Sequence, residues 1–151
     1  MDRLYTQAER ATEAYDEADE RGDALREQFG AAQDEIARQQ DRVNTMRDAL
    51  GSPYVYGATG PSSFDCSGLT SWAYAQAGVT IPRTSQAQAN AGTRIYSQSD
   101  LQVGDLVIFY GDQHHVGLYA GNGQVLHAPR TGTVVRYESI GNMPFQFGVR
   151  I

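Results

Sequence analysis

One cysteine and three histidines in 151 residues limit the covalent chemistry open to this chain. Cys66 stands in Phe64-Asp65-Cys66-Ser67-Gly68-Leu69. After it, Leu69, Trp72, Ala73 and Gln76-Ala77 recur at helical spacing and Gly78 supplies a stop, so Ser67–Ala77 is expected to form an amphipathic helix with Cys66 at its amino end. There, free backbone amides and the positive end of the helix dipole favour thiolate over thiol, and the thiolate is the form that attacks carbonyls. A lone cysteine is otherwise more often an inert buried hydrophobe. Polar Asp65 and Ser67 on either side, with a Pro61-Ser62-Ser63 turn before them, place this one at a surface cleft instead.

A thiolate nucleophile needs a base, and the base an orienting partner. His115, in His-Val-Gly-Leu-Tyr, and His127, in Val-Leu-His-Ala-Pro, fall in two neighbouring strand-like runs. His115 would take the thiol proton, and His127 would accept a hydrogen bond from the other ring nitrogen of His115, fixing its tautomer. Strand parity decides whether the two meet. A two-residue turn at Asn122-Gly123 pairs residues whose numbers sum to 245 and puts the rings on opposite faces. A three-residue Gly121-Asn122-Gly123 loop, or another odd loop or bulge, gives a sum of 244, with Gly117 opposite His127 and His115 diagonal to it on one face. His114 has the opposite parity and reads as an exposed neighbour.

These residues must be carried by an α+β fold. Ser85 and Gln88 have capping-box spacing for a short helix to about Asn90, and Asp100–Asp105 is a turn. Leu106–Tyr110, His115–Ala120, Gln124–Ala128, Thr133–Glu138 and Phe145–Ile151 are short apolar runs punctuated by turns, the pattern of an antiparallel meander. Helices first and strands after give α+β rather than alternating α/β.

Before Gly51 the composition differs. Leu4, Ala8, Ala11, Tyr15, Ala18, Gly22, Leu25, Phe29, Ala32, Ile36, Gln39, Val43, Met46 and Leu50 alternate at four and three residues, a heptad seam with no proline before Pro53. Gly22-Asp23 would suit a hairpin, yet the phase runs through it unshifted, which favours one long helix. Residues 1–52 hold 7 Arg and 13 acids, a net of −6, so the remainder is neutral. Residues 1–50 are thus read as an acidic helical arm for self-association or a protein partner, and 51–151 as the chemical module. No basic stripe with interleaved aromatics speaks for nucleic acid, and no run approaches the roughly 18 apolar residues of a membrane span.

Six ordered motifs carry a resemblance: Pro53-Tyr54-Val55-Tyr56-Gly57, Phe64-Asp65-Cys66-Ser67-Gly68, Pro82-Arg83-Thr84-Ser85, Gly104-Asp105-Leu106-Val107, His115-Val116-Gly117-Leu118-Tyr119 and His127-Ala128-Pro129. From about Leu50 to Ile151 the chain resembles the NlpC family of bacterial cell-wall cysteine peptidases. The resemblance implies a papain-like module with Cys66 as nucleophile, His115 as base and His127 as orienter. It also implies Tyr54 beside the oxyanion, and Asp65, Ser67 and Arg83 along the substrate groove. Tyr56 stands where many members have tryptophan. The implied substrate is the peptidoglycan stem peptide, cut between D-γ-glutamate and a diamino acid, and the implied location is secreted or wall-associated. As no signal segment opens the chain, a mature or trimmed form is expected.

Competing chemistries are an amidase or acyltransferase on the same scaffold, or a wall-binding module whose arm carries the function. One thiolate and two imidazoles also suit zinc, but a usual structural site wants a fourth protein ligand that no second cysteine supplies. No metal or other cofactor is expected.

Overall fold

The computed structural model describes the backbone of residues 2–151 and the side chains of residues 24–151. A single helix, α1 (Asp2–Ala49), fills the first third of the chain, without a break at Gly22-Asp23. The seam positions from Leu4 to Gly22 lie outside the described side chains. Two compact units divide after Arg38. In the first, the described part of the seam is uncovered, with Leu25, Phe29 and Ile36 each about two-thirds exposed.

The second unit, 39–151, takes in the last turns of α1, whose Met46 and Ala49 are buried in its core. The expected seam held Met46 and Leu50, so Ala49 takes the place expected of Leu50. The helix stops at Ala49, so Leu50 falls in the following turn and is exposed. Within this unit Arg42 ties the end of α1 to the loop before β2 in sequence, donating to the Val103 carbonyl at 3.2 Å.

Six strands form one antiparallel sheet: β1 (Thr93–Ile95), β2 (Leu106–Phe109), β3 (His115–Gly121), β4 (Gln124–His127), β5 (Arg136–Ser139) and β6 (Phe145–Arg150), in the order β1-β6-β2-β3-β4-β5. β2 to β5 make the expected meander. β6 returns across it to pair with β2, because β2 has no other partner on that edge, and β1 then caps β6. β1 is three residues long with two exposed, too short and too polar to announce itself by alternation.

Alternation along the strands sends side chains to two faces. Leu106, Ile108, Val116, Leu118 and Leu126 join a cluster with Phe64 and Leu69, while Val107, Phe109 and Val125 form a second cluster with Ile140. Against the first face packs α2 (Cys66–Gln76), which lies on β3. Phe64 seats it, meeting Trp72 edge-on at 5.1 Å between ring centres.

The short helix α3 (Ser85–Gln88) is capped by Thr84, whose hydroxyl accepts from the Ala87 amide, so the cap lies one residue before the expected Ser85. Ser85 and Gln88 are thereby free for other work. Ser85 donates to the Gln113 carbonyl at 2.7 Å, pinning the loop that leads into β3. Buried Gln88 accepts from Thr70 at 2.6 Å and donates to the Ser67 and Pro82 carbonyls, bracing the first turn of α2. Each contact ends near Cys66 or His115.

Candidate active site

Why Cys66 begins a helix is visible in Asp65. Its carboxylate caps α2 by accepting from the Gly68 amide at 2.6 Å, and a second oxygen accepts from Gly57 at 2.9 Å. Gly68 has to be glycine here, since a Cβ would sit 2.0 Å from the Ala58 carbonyl oxygen. Arg83 closes the cluster, donating to Asp65 at 2.8 Å and to the Ser67 hydroxyl at 2.6 Å. Burial alone would push the Asp65 carboxyl up, but the Arg83 guanidinium and the two amides outweigh it and hold it below the usual range. Asp65 and Ser67 are buried, and Arg83 is the member of this cluster with a solvent-facing surface.

The sulfur is partly buried and donates towards the His114 carbonyl at 3.9 Å. The amides of Val116, Ser67 and Cys66 itself face it. Yet burial pushes the Cys66 thiol above its ordinary range, with the Asp65 carboxylate adding to the effect, and the amides do not reverse it. The expected thiolate is therefore corrected: the resting group is a thiol. The helix amino end is already committed to the carboxylate that caps it.

His115 and His127 meet as the parity argument requires. Leu118 pairs with Leu126 and Tyr119 with Val125, a sum of 244, before a bulge shifts the last pair to Gly121 and Gln124. The bulge supplies the odd residue, with Gly121, Asn122 and Gly123 all at positive φ. Gly117 leaves the space opposite His127, because a Cβ there would lie 3.3 Å from that of His127. The rings cross edge-to-face, and His115 Nε2 lies 2.8 Å from His127 Nδ1. Both are buried, and burial first, then repulsion between the protonated form and neighbouring basic side chains, brings each pKa down to about 4. For His115 those neighbours are His127 and His114; for His127 they are Arg136 and Arg130. Both imidazoles are neutral at pH 7.

The sulfur lies against the backbone on either side of His115, between the His114 carbonyl and the Val116 amide. His115 Nε2 is engaged by His127, so Nδ1 is the His115 ring nitrogen not taken up in that pair. Zinc held between the two facing nitrogens does not fit this geometry, because nitrogens 2.8 Å apart are closer than tetrahedral bonds of about 2.0–2.1 Å allow.

Tyr54 packs beside Cys66, held by a parallel bridge to Phe64 and by its amide donating to the Thr133 carbonyl at 3.0 Å. Burial, then the closeness of Cys66 and Asp65, raises its pKa, so it keeps a proton to donate. Tyr56 is almost fully exposed. The His114 ring is exposed, stacks on Tyr110 at 4.3 Å and contacts the Asp112 carboxylate. The sequence reading missed Glu138, whose Oε2 lies 2.7 Å from His127 Nε2. No signal in the sequence aligns it, since eight residues separate β4 from β5 and leave their register open.

The NlpC/P60 family model matches residues 51–148, from the turn after α1 to within β6. The chain belongs to the NlpC/P60 family. A Corynebacterium glutamicum protein named probable endopeptidase is 56% identical over 108 residues, 72% of this chain and 51% of the relative. A Listeria seeligeri protein named probable endopeptidase p60 is 50% identical over 93 residues, 60% of this chain and 17% of the relative. The chain thus spans about half the length of the first of these or less. Among solved structures, the NlpC/p60 domain of the peptidoglycan hydrolase SagA superposes with a TM-score of 0.69 at 34% identity, covering 75% of this chain and 98% of that one.

A pH test of the site follows from the protonation states. With the thiol raised and His115 lowered to about 4, the neutral pair is the resting form across the interval between them. Alkylation of Cys66 by iodoacetamide, followed by intact mass, is expected to rise with pH through and beyond the ordinary thiol range. A thiolate–imidazolium pair would instead show a plateau already at pH 5 to 6.

Proposed function

We propose that this chain is a cysteine endopeptidase of the bacterial cell wall. It hydrolyses the amide between D-γ-glutamate and a diamino acid in peptidoglycan stem peptides, by way of a thioester on Cys66. The observation that carries the reading is the His115–His127 hydrogen bond beside a sulfur at a helix amino end. The names of the matched relatives and of the SagA domain support the substrate class.

His115 Nδ1 takes the thiol proton as Cys66 attacks the carbonyl carbon, and the imidazolium formed is stabilised by His127 through Nε2–H. The oxyanion is met by the Tyr54 hydroxyl and the Cys66 amide, which has no acceptor within its own helix. His115 then gives its proton to the leaving amine, and water, deprotonated by His115, releases the acyl group from sulfur. Asp65 and Ser67 hold Arg83, whose exposed guanidinium lines the substrate groove. Residues 51–151 carry the chemistry, and the chain works outside the cell or at the wall.

Digesting purified peptidoglycan and weighing the released fragments tests the reading, with cuts expected within the stem peptide. Product mass also separates this bond from the one an amidase would break. The exposed Leu25, Phe29 and Ile36 support self-association through the arm. Solution mass with and without residues 1–38 is expected to fall from a multiple to a monomer. The cut is placed at 38 because Met46 and Ala49 belong to the core of the second unit.

A further inference from the structure

His127 Nε2 is fully buried, and among the described residues it is the buried side-chain nitrogen or oxygen left without an aligned hydrogen bond. Its neighbour is Glu138, at 2.7 Å from Nε2 but off the axis along which the ring would donate. Glu138 sits on β5 opposite Val125, diagonal to His127 and on its face of the sheet. Its other oxygen makes a longer ion pair, 3.8 Å from the Arg136 guanidinium.

We propose that Glu138 is a positioning residue for the peptidase reaction, acting as the fourth member of a Cys66–His115–His127–Glu138 relay. The inference rests on the peptidase reading above. Its logic is tautomeric. His127 is neutral, so one of its two nitrogens carries the proton. With the proton on Nε2, the ring presents N–H to the carboxylate, and Nδ1 is left as an acceptor for His115 Nε2–H. His115 Nδ1 then holds a lone pair for the thiol. With the proton on Nδ1, a lone pair faces the carboxylate at 2.7 Å, His115 Nε2 becomes the acceptor, and its Nδ1 carries hydrogen and cannot act as base. The anion selects the first arrangement. As His115 takes the thiol proton, the same carboxylate opposes the positive charge that develops along the pair. Glu138 touches neither sulfur nor substrate.

The test compares wild type, Glu138→Ala and Glu138→Gln by imidazole 15N NMR on the substrate-free protein and by stem-peptide hydrolysis. In wild type, His115 and His127 are expected to show protonated Nε2 and bare Nδ1. In Glu138→Ala both should shift towards a mixture, with kcat down by about 10–100-fold, by analogy with losing a carboxylate that orients a metal-bound histidine, and KM unchanged. Glu138→Gln retains a carbonyl acceptor and should restore the tautomers and most of kcat. Unchanged tautomers in Glu138→Ala, or an unchanged kcat, overturn the proposal. Failure of wild type to cut stem peptides would overturn the peptidase reading instead, while the NMR comparison would still decide the role of Glu138.

Discussion

Replacing Cys66 by alanine is expected to lower stem-peptide cleavage by about 10⁴–10⁶-fold, the scale on which removing a covalent nucleophile acts in comparable enzymes. The fold should survive. Cys66 is partly exposed at the first position of α2, and the cap that holds that turn belongs to Asp65. Thermal unfolding of the variant should therefore match wild type while hydrolysis is lost. Serine would not rescue it, because a hydroxyl is harder to deprotonate than a thiol and His115, with a pKa brought down to about 4, is a weak base. A chelator should leave the wild-type rate unchanged.

His115→Ala is expected to cost about 10⁴ in kcat, the effect of deleting the base of a catalytic triad. A second measurement makes this informative. In sites with a preformed thiolate–imidazolium pair, removing the histidine also raises the thiol pKa and slows alkylation. Here the Cys66 thiol is already pushed up by burial, so iodoacetamide should modify His115→Ala at close to the wild-type rate at pH 7. Loss of hydrolysis with alkylation retained would assign His115 to proton transfer during attack. Equal loss of both would mean the ring holds a resting ion pair.

Much of this site is legible in sequence because its parts are local. The cysteine helix follows from the spacing of Leu69, Trp72 and Ala73, and its start is fixed by a capping residue one position before the cysteine. The face shared by His115 and His127 follows from parity across a hairpin whose glycines allow only a few turns. Tyr54, Asp65, Ser67 and Arg83 come from motifs, and three of the four meet in one hydrogen-bonded cluster.

The misreadings have causes that residue spacing does not carry. A helix dipole favours the Cys66 thiolate, but burial of the sulfur outweighs it, and the carboxylate of Asp65, which occupies that positive end, adds to the effect. Ser85 looked like a cap because Gln88 stands three residues on, yet Gln88 is drawn inward by Thr70, Ser67 and Pro82. Leu50 continued the heptad on paper, but the helix had ended. β6 joins β2 rather than β5, a choice made by which strand edge is vacant and so invisible to periodicity. Glu138 was hidden for the same reason: its place beside His127 depends on the register of β5 after a long loop.

The central claim is that the scissile amide passes through an acyl group on the Cys66 sulfur. Cleaving a purified stem peptide in neutral hydroxylamine, and weighing the acyl-side fragment, tests it directly, because a thioester partitions between water and the added nucleophile. The account predicts a hydroxamate whose share grows with hydroxylamine concentration, formed by wild type and not by Cys66→Ala. Free acid alone at every concentration, or cleavage that persists in Cys66→Ala, would contradict it.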